Sequence, residues 1–137
     1  SLDGPFDSGK DGPGGWWILD EPEVHLGPHV LVPDLAGWRR ERMPSLPESA
    51  WFELAPDWVC EVLSPGTASE DRAEKLPVCA AYGISHVWLI DPLLRTLEAF
   101  ENREGRWLLL ATLKDTDPLS LPPFDAITFD LSQLWAD

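Results

Sequence analysis

The run Trp58-Val59-Cys60-Glu61-Val62-Leu63 constrains the fold more than any other stretch of the chain. Its length and its aromatic and β-branched content mark a buried strand, yet a glutamate stands between Cys60 and Val62. A carboxylate in an apolar strand is expensive to desolvate unless it is paired or binds a cation. The strand must therefore lie where a second charged group, or an ion, can reach its face.

The segments around it read as sheet. Trp16 to Leu26 is extended and broken by Pro22, and Gly27-Pro28-His29 is a turn into a second strand that runs from Val30 through Leu35 towards Trp38. Residues 43 to 56 form a loop packed by Trp51 and Phe52. After the Glu61 strand, Thr67-Ala68-Ser69-Glu70 fits a capping box, so a helix is predicted from there to about Tyr82, kinked at Pro77 and ended by Gly83. His86 to Asp91 is an apolar run of strand length. Thr96 to Phe100 and Trp107 to Leu113 form an antiparallel pair around a turn at 102–105, and residues 123–135 supply one more short strand with a closing turn or helix. This order predicts a mixed sheet carrying a helix, of the α/β (α+β) class. The expected organisation is a Gly/Pro-rich arm over residues 1–15 and a single domain over 16–137.

No stretch of 18 or more apolar residues occurs, and no signal-like segment opens the chain, so a membrane span is not expected and the predicted location is cytoplasmic. Cys60 and Cys79 have neither CxxC spacing nor paired histidines, which points to reduced core thiols. His25 and His29 flank a turn, and two imidazoles do not make a metal site. The net charge of −14 opposes phosphate binding by a basic surface but suits a carboxylate cluster neutralised by a divalent cation.

Two Pro-Asp pairs precede Glu61, at Pro33-Asp34 and Pro56-Asp57. Asp57 would lie on the same strand as Glu61, roughly 13 Å away at 3.3 Å per residue, too far to share an ion. Asp34 belongs to a different strand, and neighbouring strands about 4.8 Å apart can bring two carboxylates together, so Asp34 is the expected partner. Oxygen ligands of this kind suit Mg²⁺ or Mn²⁺. A lysine two residues after Glu61 would share its face, but Leu63 stands there. Lys75, on the helix that follows, is the nearest candidate, although Asp71 and Lys75 also have the spacing of an ordinary surface ion pair.

The set VPDLAGW (32–38), PDWVCEVLSPGT (56–67), DRAEK (71–75) and GISHVWLIDP (83–92) resembles the Uma2 family of bacterial endonucleases, within the PD-(D/E)XK nuclease superfamily, over about Gly15 to Trp135. The resemblance implies a restriction-endonuclease-like core and Mg²⁺-dependent hydrolysis of DNA phosphodiesters. It also implies that Asp34, Glu61 and the backbone carbonyl of Val62 hold the ion and that Lys75 positions the attacking water. The superfamily core opens with a helix before the first strand; this chain carries the Gly/Pro-rich arm there, so that first core helix is expected to be missing.

Arg39, Arg40 and Arg42 are the candidates for gripping a DNA backbone, weakly and with strong salt dependence. Cutting two strands favours a homo-oligomer. Two other readings use the same residues differently: a nuclease-like fold that serves as an interaction module without cleavage, and a β module whose eight tryptophans stack on a ligand. Burial is the default for Trp17, Trp38, Trp58, Trp88 and Trp107, which lie in strand-like runs.

Overall fold

The computed structural model describes residues 15–66, 71–114, 118–119, 121–124 and 129–130. Among these residues ten strands occur in the order β1 (Trp16–Asp20), β2 (Val24–Leu26), β3 (His29–Leu31), β4 (Leu35–Arg39), β5 (Trp58–Val62), β6 (His86–Asp91), β7 (Thr96–Arg103), β8 (Arg106–Lys114), β9 (Pro118–Leu119) and β10 (Phe129–Asp130). Six of them form one sheet in the order β1-β4-β5-β6-β7-β8, and β2 with β3, and β9 with β10, form separate two-stranded pairs.

Within the large sheet only β5 and β6 run parallel. Parallel neighbours need a crossover, and the connection supplies a π-helical turn, Asp71–Lys75, followed by α1, Leu76–Ala81. Both faces of β5 and β6 are covered, which explains why these two strands are apolar almost without interruption. On one face Trp16, Trp58, Trp88 and Leu97 meet Leu121 and Phe124, with the Trp58, Trp88 and Phe124 rings edge to face at 4.9 to 5.6 Å. On the other, Ala36, Trp38, Val59, Val87 and Leu89 are covered by the β2–β3 hairpin and by Cys79 of α1.

Several boundaries differ from the sequence expectation. The second strand of the hairpin does not continue to Trp38: it stops at Leu31, and after Val32-Pro33-Asp34 the chain starts β4, which pairs with β1 and β5. Pro33 has no N–H for a ladder, and the break lets β4 enter a different sheet from β3. The predicted capping box at 67–70 lies outside the described residues, as does residue 131 onward of the predicted closing turn. The helix that follows begins as a π turn and becomes α-helical at Leu76, with Pro77 in the first α-helical turn, where a missing N–H does no harm. Gly83 ends it as predicted: its φ is +76°, and Ile84 N–H reaches back to the Cys79 carbonyl at 3.1 Å. Asn102 fastens this corner to β7 by donating to the carbonyls of Ala80 and Ile84, each at 3.1 Å.

Trp16, Trp38, Trp58 and Trp88 are buried, Trp17 and Trp107 half-buried, and Trp51 exposed. Most of the described tryptophans are thus core residues and leave no row of exposed rings. No helix among the described residues is long and apolar enough to cross a membrane.

Candidate active site

The antiparallel register of β4 and β5 sets Leu35 opposite Cys60, and the residue before it, Asp34, meets the end of β5 beside Glu61 at Val62. Glu61 shares the face of Val59, which carries the hairpin and α1, while Asp34 reaches the end of β5 from the bend before β4. Asp34 sits in the bend before β4, and its Oδ2 accepts a hydrogen bond from the Val62 N–H at 2.6 Å. That bond holds the carboxylate against the end of β5.

Glu61 is buried inside β5, its side chain only 6% exposed, and its Oε2 accepts from Lys75 Nζ at 3.1 Å. Lys75 closes the π turn and leads into α1, so the crossover that makes β5 and β6 parallel also delivers the cation. The pair stands at the rim of an apolar space lined by Leu26, Leu31, Val59, Leu76 and Leu89. In such surroundings a charge interaction is screened less than in water. Leu63, at the place where a strand-borne lysine would share the face of Glu61, is instead buried in the core on that face.

Two thiols report the field of this cluster. Burial pushes the Cys60 thiol well above its ordinary value, and the charges of Glu61 and Asp34 push it further. Burial also pushes Cys79 up to about 12, with Glu61 adding to the rise and Lys75 opposing it. Negative charge from both carboxylates therefore reaches one point in the sheet.

The second Pro-Asp pair has a different task. Asp57 is buried, accepts from the Arg39 N–H at 2.8 Å through Oδ2, and pairs with Arg42 Nη1 at 2.8 Å through Oδ1. It braces the far end of β4, away from Glu61. The three candidate arginines gather at that same far end and are not brought to the carboxylates. Arg39 lies over the Trp16 ring at 4.6 Å and Arg40 over Trp17 at 3.8 Å, while Arg42 also donates to the Ala55 carbonyl at 3.0 Å. His25 pairs with Glu23 at 2.7 Å and stacks on Trp51.

Among the described residues no group of three or more His, Cys, Asp and Glu side chains is placed to hold a metal ion. The side-chain oxygens that could hold a cation at this point are those of Asp34 and Glu61, hard donors of the kind that suit a cation which keeps several of its waters. Of the residues expected from the sequence, Lys75 is brought to Glu61 and Asp34 to the Val62 N–H. The Val62 N–H bond itself was not legible, because a backbone donor leaves no mark on residue identity.

A family model described as "Putative restriction endonuclease", Uma2, matches residues 9–132. A search among curated proteins finds no match. Among solved structures, a crystal structure described as a putative nuclease from Anabaena variabilis is similar with a TM-score of 0.71 and 22% identity, covering 89% of this chain and 69% of that one. The six-stranded mixed sheet with its short helix is thus a restriction-endonuclease-like nuclease fold.

Proposed function

The chain belongs to the Uma2 restriction-endonuclease family, and from that membership and the Asp34–Glu61–Lys75 cluster we propose that it is a metal-dependent endonuclease hydrolysing DNA phosphodiester bonds. The observation that carries the reading is that Asp34, held by the Val62 N–H, and Glu61, paired with Lys75, come from three different elements to the end of β5.

In this reading Asp34, Glu61 and the Val62 carbonyl hold Mg²⁺ or Mn²⁺. Such an ion, when bound, lowers the pKa of a coordinated water and offsets charge on the phosphodiester. The Val62 N–H orients Asp34. β5 fixes Glu61 in a rigid strand, so little reorganisation accompanies the reaction. The Lys75 ammonium supplies a mobile positive group for the attacking water or a non-bridging phosphate oxygen. Arg39, Arg40 and Arg42 contact the backbone of the same DNA at a distance. They stand five positions or more along from Asp34, roughly 17 Å at 3.3 Å per residue, which duplex DNA covers in about five base pairs. Two copies of the chain supply the two sites that double-strand cleavage requires.

The test is plasmid nicking in Mg²⁺ or Mn²⁺ buffers by the wild type and by Asp34→Asn and Glu61→Gln, with cation binding measured by calorimetry. The expected result is binding and nicking in the wild type and neither in the variants. A folded wild type that binds no divalent cation would leave the non-cleaving interaction module as the better reading, one that the net charge of −14 also suits.

A further inference from the structure

The reading of Asp34 and Glu61 as a cation site leaves open what compensates Glu61 before a cation arrives, and the inference here rests on that reading. Glu61 is 6% exposed at its side chain, and the ammonium of Lys75 lies 3.1 Å from its Oε2. A divalent ion bound by Glu61 would sit about 2.1 Å from a carboxylate oxygen. Two positive charges this close to one buried carboxylate repel each other, so a cation and the ammonium compete for Glu61.

We propose that Lys75 is the resident counter-ion of Glu61, and that the Lys75–Glu61 pair must open for a divalent cation to bind, so that this pair sets the cation affinity of the site. The means of opening are present. Lys75 has a long flexible stem, is 31% exposed at its side chain, and stands at the junction between the π turn and α1. A lysine at the position of Leu63 would be tied to the strand itself; one carried by the crossover can swing while β5 stays fixed. Once displaced, the ammonium leaves Glu61 on its flexible stem, and substrate phosphate is an anion it can then meet. Cation loading and presentation of Lys75 to substrate become one event, and the empty site never holds an uncompensated buried carboxylate.

The experiment is calorimetric titration of Mn²⁺ alone into the wild type, Lys75→Met and Lys75→Gln, with Glu61→Gln as the control lacking the ligand. Removing a competitor that stabilises only the empty site should tighten Mn²⁺ binding by roughly tenfold or more in both lysine variants. Lys75→Gln keeps a hydrogen-bond donor for Glu61, so it tests the proposal even if Lys75→Met does not fold. Thermal unfolding gives a second readout: Mn²⁺ should raise the melting temperature of the lysine variants more than that of the wild type. Wild-type binding with equal or weaker binding in the variants would overturn the exchange and leave the cation site standing. Absence of binding in every protein, the variants included, would overturn both.

Discussion

The Val62 N–H donates to Asp34 Oδ2 at 2.6 Å, which ties a side chain in the bend before β4 to the backbone at the end of β5. Asparagine keeps an oxygen acceptor at this position and alanine does not. Asp34→Asn should therefore unfold in urea close to the wild type, whereas Asp34→Ala should lose up to about 1 kcal/mol, because the bond is exposed and water can take the acceptor's place. Both should lose Mn²⁺ binding, since neither retains the negative charge. A calorimetric titration of Asp34→Asn with wild-type affinity would remove Asp34 from the site.

Asp57 should show the opposite profile. Its two oxygens serve the Arg39 N–H and the Arg42 guanidinium, and the second contact is partly solvent-screened because Arg42 is 38% exposed at its side chain. Asp57→Ala should cost about 1–3 kcal/mol in urea unfolding, mostly from the unsatisfied backbone donor. The folded fraction should bind Mn²⁺ as the wild type does. A lost cation site with unchanged stability would mean that the two aspartates had been assigned the wrong way round.

The contrast between these aspartates shows what the sequence carried. Strand spacing alone separated Asp57 from Glu61, because four strand residues cannot fold back on themselves. That Asp34 meets the end of β5 was legible for the same reason, since only a neighbouring strand could reach it. The hairpin was harder: Val30 to Trp38 reads as one apolar run, and the break at Pro33 depends on β4 joining β1 and β5 while β3 stays with β2. The surroundings of Arg39, Arg40 and Arg42 were not legible at all. Their partners Trp16, Trp17 and Asp57 lie 15 to 24 positions away and are brought close only by sheet register.

The buried thiols predict an alkaline limit to stability. Burial, then the Glu61 charge, push Cys79 up to about 12, and burial with Glu61 and Asp34 moves Cys60 in the same direction. An acid whose folded value is raised stabilises the fold fully below its unfolded value, about 8.5 for a thiol, and that contribution is lost as pH rises through the folded value. Stability should fall between roughly pH 9 and 11 by about 1.4 kcal/mol per pH unit for each thiol. Cys79→Ala should lower stability overall by leaving a cavity, yet reduce that slope by one thiol's share. The native protein should also resist alkylation by iodoacetamide at about pH 8, because neither thiol is ionised there. Rapid labelling of the folded protein would contradict the burial of both groups.

The arginines at the far end of β4 make a prediction about salt. Arg39 and Arg40 rest on tryptophan faces, which fixes their position, and the charge of Arg42 is engaged by Asp57. Each phosphate contact adds about 0.9 to the slope of log affinity against log salt. Duplex binding by the Mg²⁺-free Glu61→Gln protein, followed by fluorescence anisotropy from roughly 50 to 200 mM salt, should show that slope reduced by about one in Arg39→Ala and again in Arg40→Ala. Arg42→Ala should change the slope least and the stability most. Arg40→Ala will itself lose some stability, because its Nε donates to the Trp16 carbonyl at 3.2 Å, so anisotropy must be compared under conditions where each variant is fully folded. Equal slopes in all four proteins would assign the three arginines to holding β1 and β4 together, and would place the DNA path elsewhere on the acidic surface.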